Sequence, residues 1–433
     1  MAHKEYTNQV DSEIKWVGKI PSHWEISKFK NEFVFSKSTN TSKNPTILSL
    51  TLQGIKIRDI TTNEGQIASS YDNYTKVYKG DIVLNPMDLI SGFVDCSPVE
   101  GVISPAYYTL KPNQDVDPEY YKYYLQKHYY EQIFFPFAEG VSVDHRWTLK
   151  KEDFLNFGLI KPPLEEQKQI ANYLDQKTAK IDATIAKNEE LIRLLEEKRV
   201  ALINQVVTKG LNPDVDMKDS GVEWIGEIPE HWDVINLKKC CETITDGSHF
   251  SPETTSEGKY YITVRDVGKD SIDFDNAPKI SVEDYNTLKR NGCEPKKGDV
   301  LLSKDGTIGK CIIVNETDFV ILSSLGLLRP NNLIESEYLR YYLLSDINVK
   351  QMYSHIRGSA IKRLTISIIK ELLLICPPLN EQEDIINYLN PKISRINNTI
   401  NKIQNNINLL EEYKTSLIHH VVTGKIDVRG EEI

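Results

Sequence analysis

No stretch of this 433-residue chain approaches the roughly 18 consecutive apolar residues of a membrane-spanning helix. Its start, Met1-Ala2-His3-Lys4-Glu5-Tyr6, has no apolar core of the kind that directs secretion, so a cytoplasmic protein without membrane contact is expected. Cysteine is scarce: Cys96, Cys240, Cys241, Cys293, Cys311 and Cys376 are too few and too scattered for a disulfide framework. None stands in a C-x-x-C pair, so a structural zinc site has no support and no metal is expected. Basic charge is short as well. Lys and Arg number 52 against 62 Asp and Glu, a net charge of -10. That excludes coating nucleic acid by bulk charge. It leaves room for local basic faces, or for partners that supply the phosphate contacts.

Catalytic signatures are missing too. There is no G-x-x-x-x-G-K-[ST]; the nearest string, Gly306-Thr307-Ile308-Gly309-Lys310-Cys311, has neither the spacing nor the hydroxyl. No G-x-G-x-x-G follows a strand-like run, and H-E-x-x-H and G-x-S-x-G do not occur. The Asn/Asp-Pro-Pro-aromatic string of an amino-methyltransferase is also absent. No catalytic residue and no cofactor of its own are expected; the chain reads as a binder.

What is present is a duplication. Residues 16–24, Trp-Val-Gly-Lys-Ile-Pro-Ser-His-Trp, return at 224–232 as Trp-Ile-Gly-Glu-Ile-Pro-Glu-His-Trp, with six of nine positions identical. Residues 162–182 return at 377–397 with eleven of 21 identical, opening in both copies on Pro-Pro-Leu-x-Glu-Gln. Leu194-Leu195-Glu196-Glu197 and Val206-Val207-Thr208 recur 215 residues later, as Leu409-Leu410-Glu411-Glu412 and Val421-Val422-Thr423. Weaker echoes join Lys79-Gly80-Asp81 to Lys297-Gly298-Asp299, and the Tyr-rich run 119–125 to 337–343. A period above 200 residues is far too long for a solenoid. It is a repeated domain-plus-helix unit whose copies agree in their helices and diverge between them. One job done twice on two different targets follows.

Each helical block starts on a proline pair, where a missing N–H costs nothing, with glutamate at the positive end of the helix dipole. Gly210, followed by Pro213, and Gly424 mark the stops. About 44 residues at ~1.5 Å each give a length of roughly 65 Å. Leu174, Ile181, Asn188, Leu195 and Leu202 are spaced by seven, as are Leu389, Ile396, Ile403, Leu410 and Leu417. Such a seam predicts an antiparallel coiled coil between the two helices, with Asn188 as the one polar entry that fixes register. Antiparallel pairing would relate the halves by a pseudo-two-fold axis.

Between the helices lie short strand-like runs at 46–50, 81–84, 260–264, 300–302 and 311–314, separated by glycine turns. The expected architecture is α/β (α+β): two mixed α/β domains joined by two long antiparallel helices that form a coiled-coil spacer. The boundaries are 1–161 for the first domain, 162–210 for the central helix and 211–222 for a linker. The second domain takes 223–376, the C-terminal helix 377–424 and a tail 425–433. Four of the five tryptophans sit in the Trp-x-Gly-x-Ile-Pro-x-His-Trp motif. They are expected to pack each domain start onto its helix, with His23 and His231 capping the turn.

A variable domain, then Pro-Pro-Leu-x-Glu-Gln opening a long helix, then Val-Val-Thr, all in two copies, resembles the DNA-specificity subunit of Type I restriction–modification systems. The resemblance covers residues 16–427. It implies that each domain is a target-recognition domain for one half of a bipartite site on double-stranded DNA. It further implies that the helices set the gap and dock two adenine-N6 methyltransferase subunits, through which restriction/translocase subunits join in phage defence. S-adenosylmethionine, ATP and magnesium would belong to those partners. Side chains that read base edges or hold phosphates are expected in Gly-flanked polar loops: Arg58, Asn85, His145 and Arg146 in the first domain. In the second they are Ser248, His249, Arg265, Lys304, Arg357, Lys362 and Arg363. On the residues alone, a self-contained DNA-cleaving enzyme with an unrecognised site and a coiled-coil protein–protein adaptor stay open.

Overall fold

The Pro-Pro-Leu-x-Glu-Gln blocks do open the longest elements of the computed structural model, which describes residues 4–61, 68, 70–90, 92–140, 147–269, 271–356 and 363–431. The first long helix spans Leu164–Lys209 and the second Leu379–Val422, continuing through Pro391. The glutamine of each block secures the helix start. Gln167 Nε2 donates to Pro162 O and Gln382 Nε2 to Pro377 O, both at 2.8 Å. Each helix ends at a glycine in the left-handed region, Gly210 at φ 74° and Gly424 at φ 69°. A Cβ on Gly424 would lie 2.4 Å from Pro21 Cδ, so both the turn and the close approach require glycine.

The chain divides into two units, residues 1–188 with 404–433, and residues 189–403. In the first, the central sheet is antiparallel in the order Phe33–Phe35, Tyr108–Pro112, Ile82–Leu84, Val94–Cys96. The Tyr-rich helix Pro118–Tyr130 is capped by Asp117, whose carboxylate accepts from Tyr120 N, and it begins on a proline. Tyr120, Tyr121 and Tyr124 are fully buried, each removing on the order of 150–250 Å² from water. Tyr120 OH donates to Val422 O at 2.9 Å, tying this helix to the end of the second long helix.

The second unit repeats the strand order: Cys241–Asp246, Leu325–Pro330, Val300–Ser303, Cys311–Ile313. It adds a four-stranded sheet of its own, Thr254–Thr255, Lys279–Ile280, Lys259–Ile262 and Phe319–Ile321, in which the last two strands are parallel. Its Tyr-rich helix, Ser336–Leu344, carries Tyr338, whose hydroxyl donates to Ile375 O at 2.9 Å. The duplication in sequence is thus a duplication of topology; the first unit keeps the parallel pairing as a single bridge, Ile47 to Val102, and the longer sheet of the second unit is the divergence.

Within each unit the beginning of one long helix packs on the end of the other, the antiparallel sense expected from the seam. In the first unit Ile170, Leu174 and Ile181 share a core with Leu417, Val421 and Val422, and Lys414 pairs with Asp182 at 2.7 Å. In the second, Ile203, Val206 and Val207 share a core with Ile385, Leu389 and Ile393, and Arg199 donates to Asn397 at 3.1 Å. Leu174, Ile181, Leu389, Ile396 and Leu417 are buried; Asn188, Leu195, Leu202, Ile403 and Leu410 are half-buried. Asn188 Nδ2 is buried without a hydrogen-bond partner.

The histidine-tryptophan pair has a different role from the expected turn cap. Trp24 Nε1 donates to Glu166 at 3.1 Å, and His23 Nε2 lies 2.8 Å from the same carboxylate, which also accepts from Tyr6 OH. In the other copy Trp232 Nε1 and His231 Nε2 meet Glu381 at 3.0 and 2.6 Å. The two repeated motifs are therefore the two sides of one joint, the domain start clamped to the first-turn glutamate of its helix.

Candidate nucleic-acid interface

In each unit a polar loop leaves the central strand of the main sheet and meets the segment that precedes a short helix. In the first unit the loop after Ile82–Leu84 begins with Asn85. The Asn85 side chain accepts from Met87 N at 3.0 Å, and Pro86 O accepts from Leu149 N at 2.8 Å. In the second the loop after Val300–Ser303 begins with Lys304, whose carbonyl accepts from Leu364 N at 2.9 Å. The same backbone latch thus recurs in both copies, Leu149 on Pro86 and Leu364 on Lys304. Different side chains stand around it.

The second unit gathers several expected residues at one place. Arg363 forms a two-pronged ion pair with Asp305, at 2.6 and 2.8 Å, and the carboxylate raises the guanidinium pKa further. Asp246 lies 3.2 Å from both His249 Nε2 and Lys304 Nζ. Ser324 Oγ accepts from Val264 N at 3.2 Å, which brings the exposed Arg265 to the same edge. His249, Arg265 and Arg363 are exposed and can present donors to a nucleic acid.

Two residues are corrected in role. Lys304 is 2% exposed with its ammonium on Asp246, so it braces the loop from within instead of offering a cation at the surface. Ser248 is buried and its hydroxyl donates to Phe250 O at 2.6 Å; it shapes the turn beside His249. The reason is the same for both: a strand-edge loop needs internal partners for its polar groups. Arg58 N donates to Ile47 O at 2.8 Å, directly after the strand Gly54–Ile57, and its side chain is half-buried. His145, Arg146, Arg357 and Lys362 lie outside the described residues. Asp246 and Asp305 were missed by sequence reasoning; their signal was an acid beside glycine in each loop, Asp246-Gly247 and Asp305-Gly306.

A second duplicated feature lies on the long helices. In the first unit a cleft of about 720 Å³ is lined by Glu131, Glu411, Glu412, Thr415, Ser416 and His419 among others. In the second, a cleft of about 610 Å³ is lined by Asp346, Glu196, Glu197, Val200, Ala201 and Asn204 among others. The helical residues correspond at the 215-residue offset, and the glutamate pair is identical in both. Burial raises the Glu131 pKa, but hydrogen bonds from His419 and Lys127 outweigh it and hold the carboxyl below its usual range. The leucine two residues before each pair, Leu194 or Leu409, is exposed. Among the described residues no group of three or more His, Cys, Asp or Glu could hold a metal ion, and no helix is long and apolar enough to cross a membrane.

A family model described as the Type I restriction modification DNA specificity domain matches residues 21–193 and again 229–409. The Type I restriction enzyme MjaVIII specificity subunit of Methanocaldococcus jannaschii is 23% identical, covering 95% of each chain. The EcoBI specificity subunit of Escherichia coli is 26% identical over 83% of this chain and 76% of its own. A chain from a solved structure concerned with complex assembly and conformational transition of the type I R-M system shares the fold. Its TM-score is 0.68 at 16% identity, covering 93% of this chain and 98% of that one.

Proposed function

We propose, from the premise that this chain belongs to the Type I restriction–modification DNA specificity family, that its two units read the two halves of one bipartite site on double-stranded DNA. The chain is a specificity subunit, and DNA sequence recognition is its task. The observation that carries the finer reading is the repeated latch, Leu149 on Pro86 and Leu364 on Lys304, surrounded by unlike side chains. A shared scaffold with divergent tips suits two different half-sites. His249, Arg265 and Arg363 read base edges or phosphates in one; Asn85 and Arg58, with His145 and Arg146, serve the other.

The long helices act as the spacer. A helix is stiff and rises ~1.5 Å per residue, which suits it to setting the gap between the two half-sites. The two clefts, with their identical glutamate pair, support one kind of partner bound twice, the adenine-N6 methyltransferase, through which the restriction subunits join. S-adenosylmethionine, ATP and magnesium serve those subunits, and this chain contributes no catalytic group. The domains run 1–161 and 223–376 in this scheme.

Exchanging residues 1–160 for the corresponding segment of another specificity subunit tests it. Sequencing the methylated sites should show one half-site changed and the other kept. A change in both half-sites, or in neither, overturns the assignment.

A further inference from the structure

We infer that Phe250 is an apolar wedge that inserts between base pairs of the half-site read by the second unit, an inference that rests on the DNA-reading role proposed above. The residue is 64% exposed, more than any other Phe, Tyr or Trp among the described residues. The backbone beneath it is fixed. Phe250 O accepts from Ser248 Oγ at 2.6 Å and Tyr261 OH at 3.2 Å, while Phe250 N donates to Ser248 Oγ at 3.0 Å. Ser248 is itself knitted to the neighbouring segment: its N–H donates to Ile321 O at 2.8 Å, and its carbonyl accepts from Ser323 N at 2.9 Å. Gly247 is flush with that segment, since a Cβ there would lie 2.1 Å from Ile321 O.

A phenyl ring on a loose loop folds back onto the protein to leave water. The backbone beneath this one is tied down by those hydrogen bonds, so little backbone ordering entropy opposes its burial in a partner. The ring has no hydrogen-bonding group, so its apolar partners on DNA are a thymine methyl at the groove edge and the flat faces of bases. Presented on a fixed backbone, it suits the second, the way apolar side chains unstack a step and bend the duplex. The flanking residue supports that occupant: His249 is exposed, with its Nε2 beside Asp246, which Lys304 holds from the other side.

The test uses the full-length chain assembled with its methyltransferase subunits, on duplexes carrying the sequence that the complex methylates. 2-Aminopurine is placed in turn at each position of the half-site that changes when residues 223–376 are exchanged, leaving out the methylated adenine. The wild-type complex should brighten one step severalfold. Phe250→Ala should abolish that rise and weaken binding roughly tenfold or more, while Phe250→Trp keeps both. The wedge is overturned if no step brightens in the wild type, if Phe250→Ala brightens it equally, or if Phe250→Trp loses it too. Weaker binding with unchanged fluorescence also overturns it, because that outcome marks a surface contact. If exchanging residues 223–376 left the methylated sequence unchanged, the half-site reading itself would fail, whatever Phe250 did.

Discussion

Glu166 and Glu381 stand at the same position of the repeat and carry unequal loads. Glu166 is 6% exposed and satisfies Tyr6 OH as well as the Trp24 and His23 nitrogens. Burial and the adjoining carboxylate push the Tyr6 phenol far above its usual range, so it donates at any ordinary pH. The Glu381 side chain is 31% exposed and holds only His231 and Trp232. Leaving a buried donor unpaired costs about 1–3 kcal/mol. Glu166→Ala, which strands two buried donors, should therefore lower the melting temperature clearly more than Glu381→Ala. Equal losses in the two variants would contradict this account. The clamp was half legible in the sequence. Both motifs stood out, but Trp24 and Glu166 are 142 residues apart, and no local pattern says that they meet.

At the scale of elements, punctuation in the sequence located the long helices, because proline pairs and left-handed glycines act through the backbone itself. The strands were legible only as fragments. Most have three or four residues, too few alternations to reveal which face is buried. Of the larger sheet of the second unit only the run at 260–264 was legible, since Phe319–Ile321 reaches its partner Lys259–Ile262 from nearly sixty residues away. The seam offers a prediction of its own. Asn188 breaks a Leu/Ile row and buries Nδ2 without a partner, the kind of residue that lowers stability while fixing register. Asn188→Leu should raise stability by about 1 kcal/mol, read as a higher urea midpoint at unchanged slope. A lower midpoint would contradict this account of the seam.

For the whole molecule, charge sets the terms of binding. With a net charge of -10, the isolated chain gains little from counterion release. Its affinity for its own methylated sequence should be weak at physiological salt. Adding the methyltransferase subunits should tighten binding and steepen the fall of log affinity with log salt, in proportion to the phosphates newly contacted. Titrations at several salt concentrations, with and without those subunits, measure both. Tight, specific binding by the lone chain would place the phosphate contacts here instead.

Repetition, helix length and the divergence of the intervening segments were set by local order in the chain: heptad spacing, proline, glycine and matching strings declare themselves within a few residues. Which loops converge was decided by tertiary structure alone. Lys304 turned inward, Arg363 was matched with Asp305, and Phe250 was left facing water because strands far apart in the chain came side by side. A charge or a ring takes its role from the neighbours that supply or withhold hydrogen bonds, and folding brings those neighbours from distant parts of the sequence.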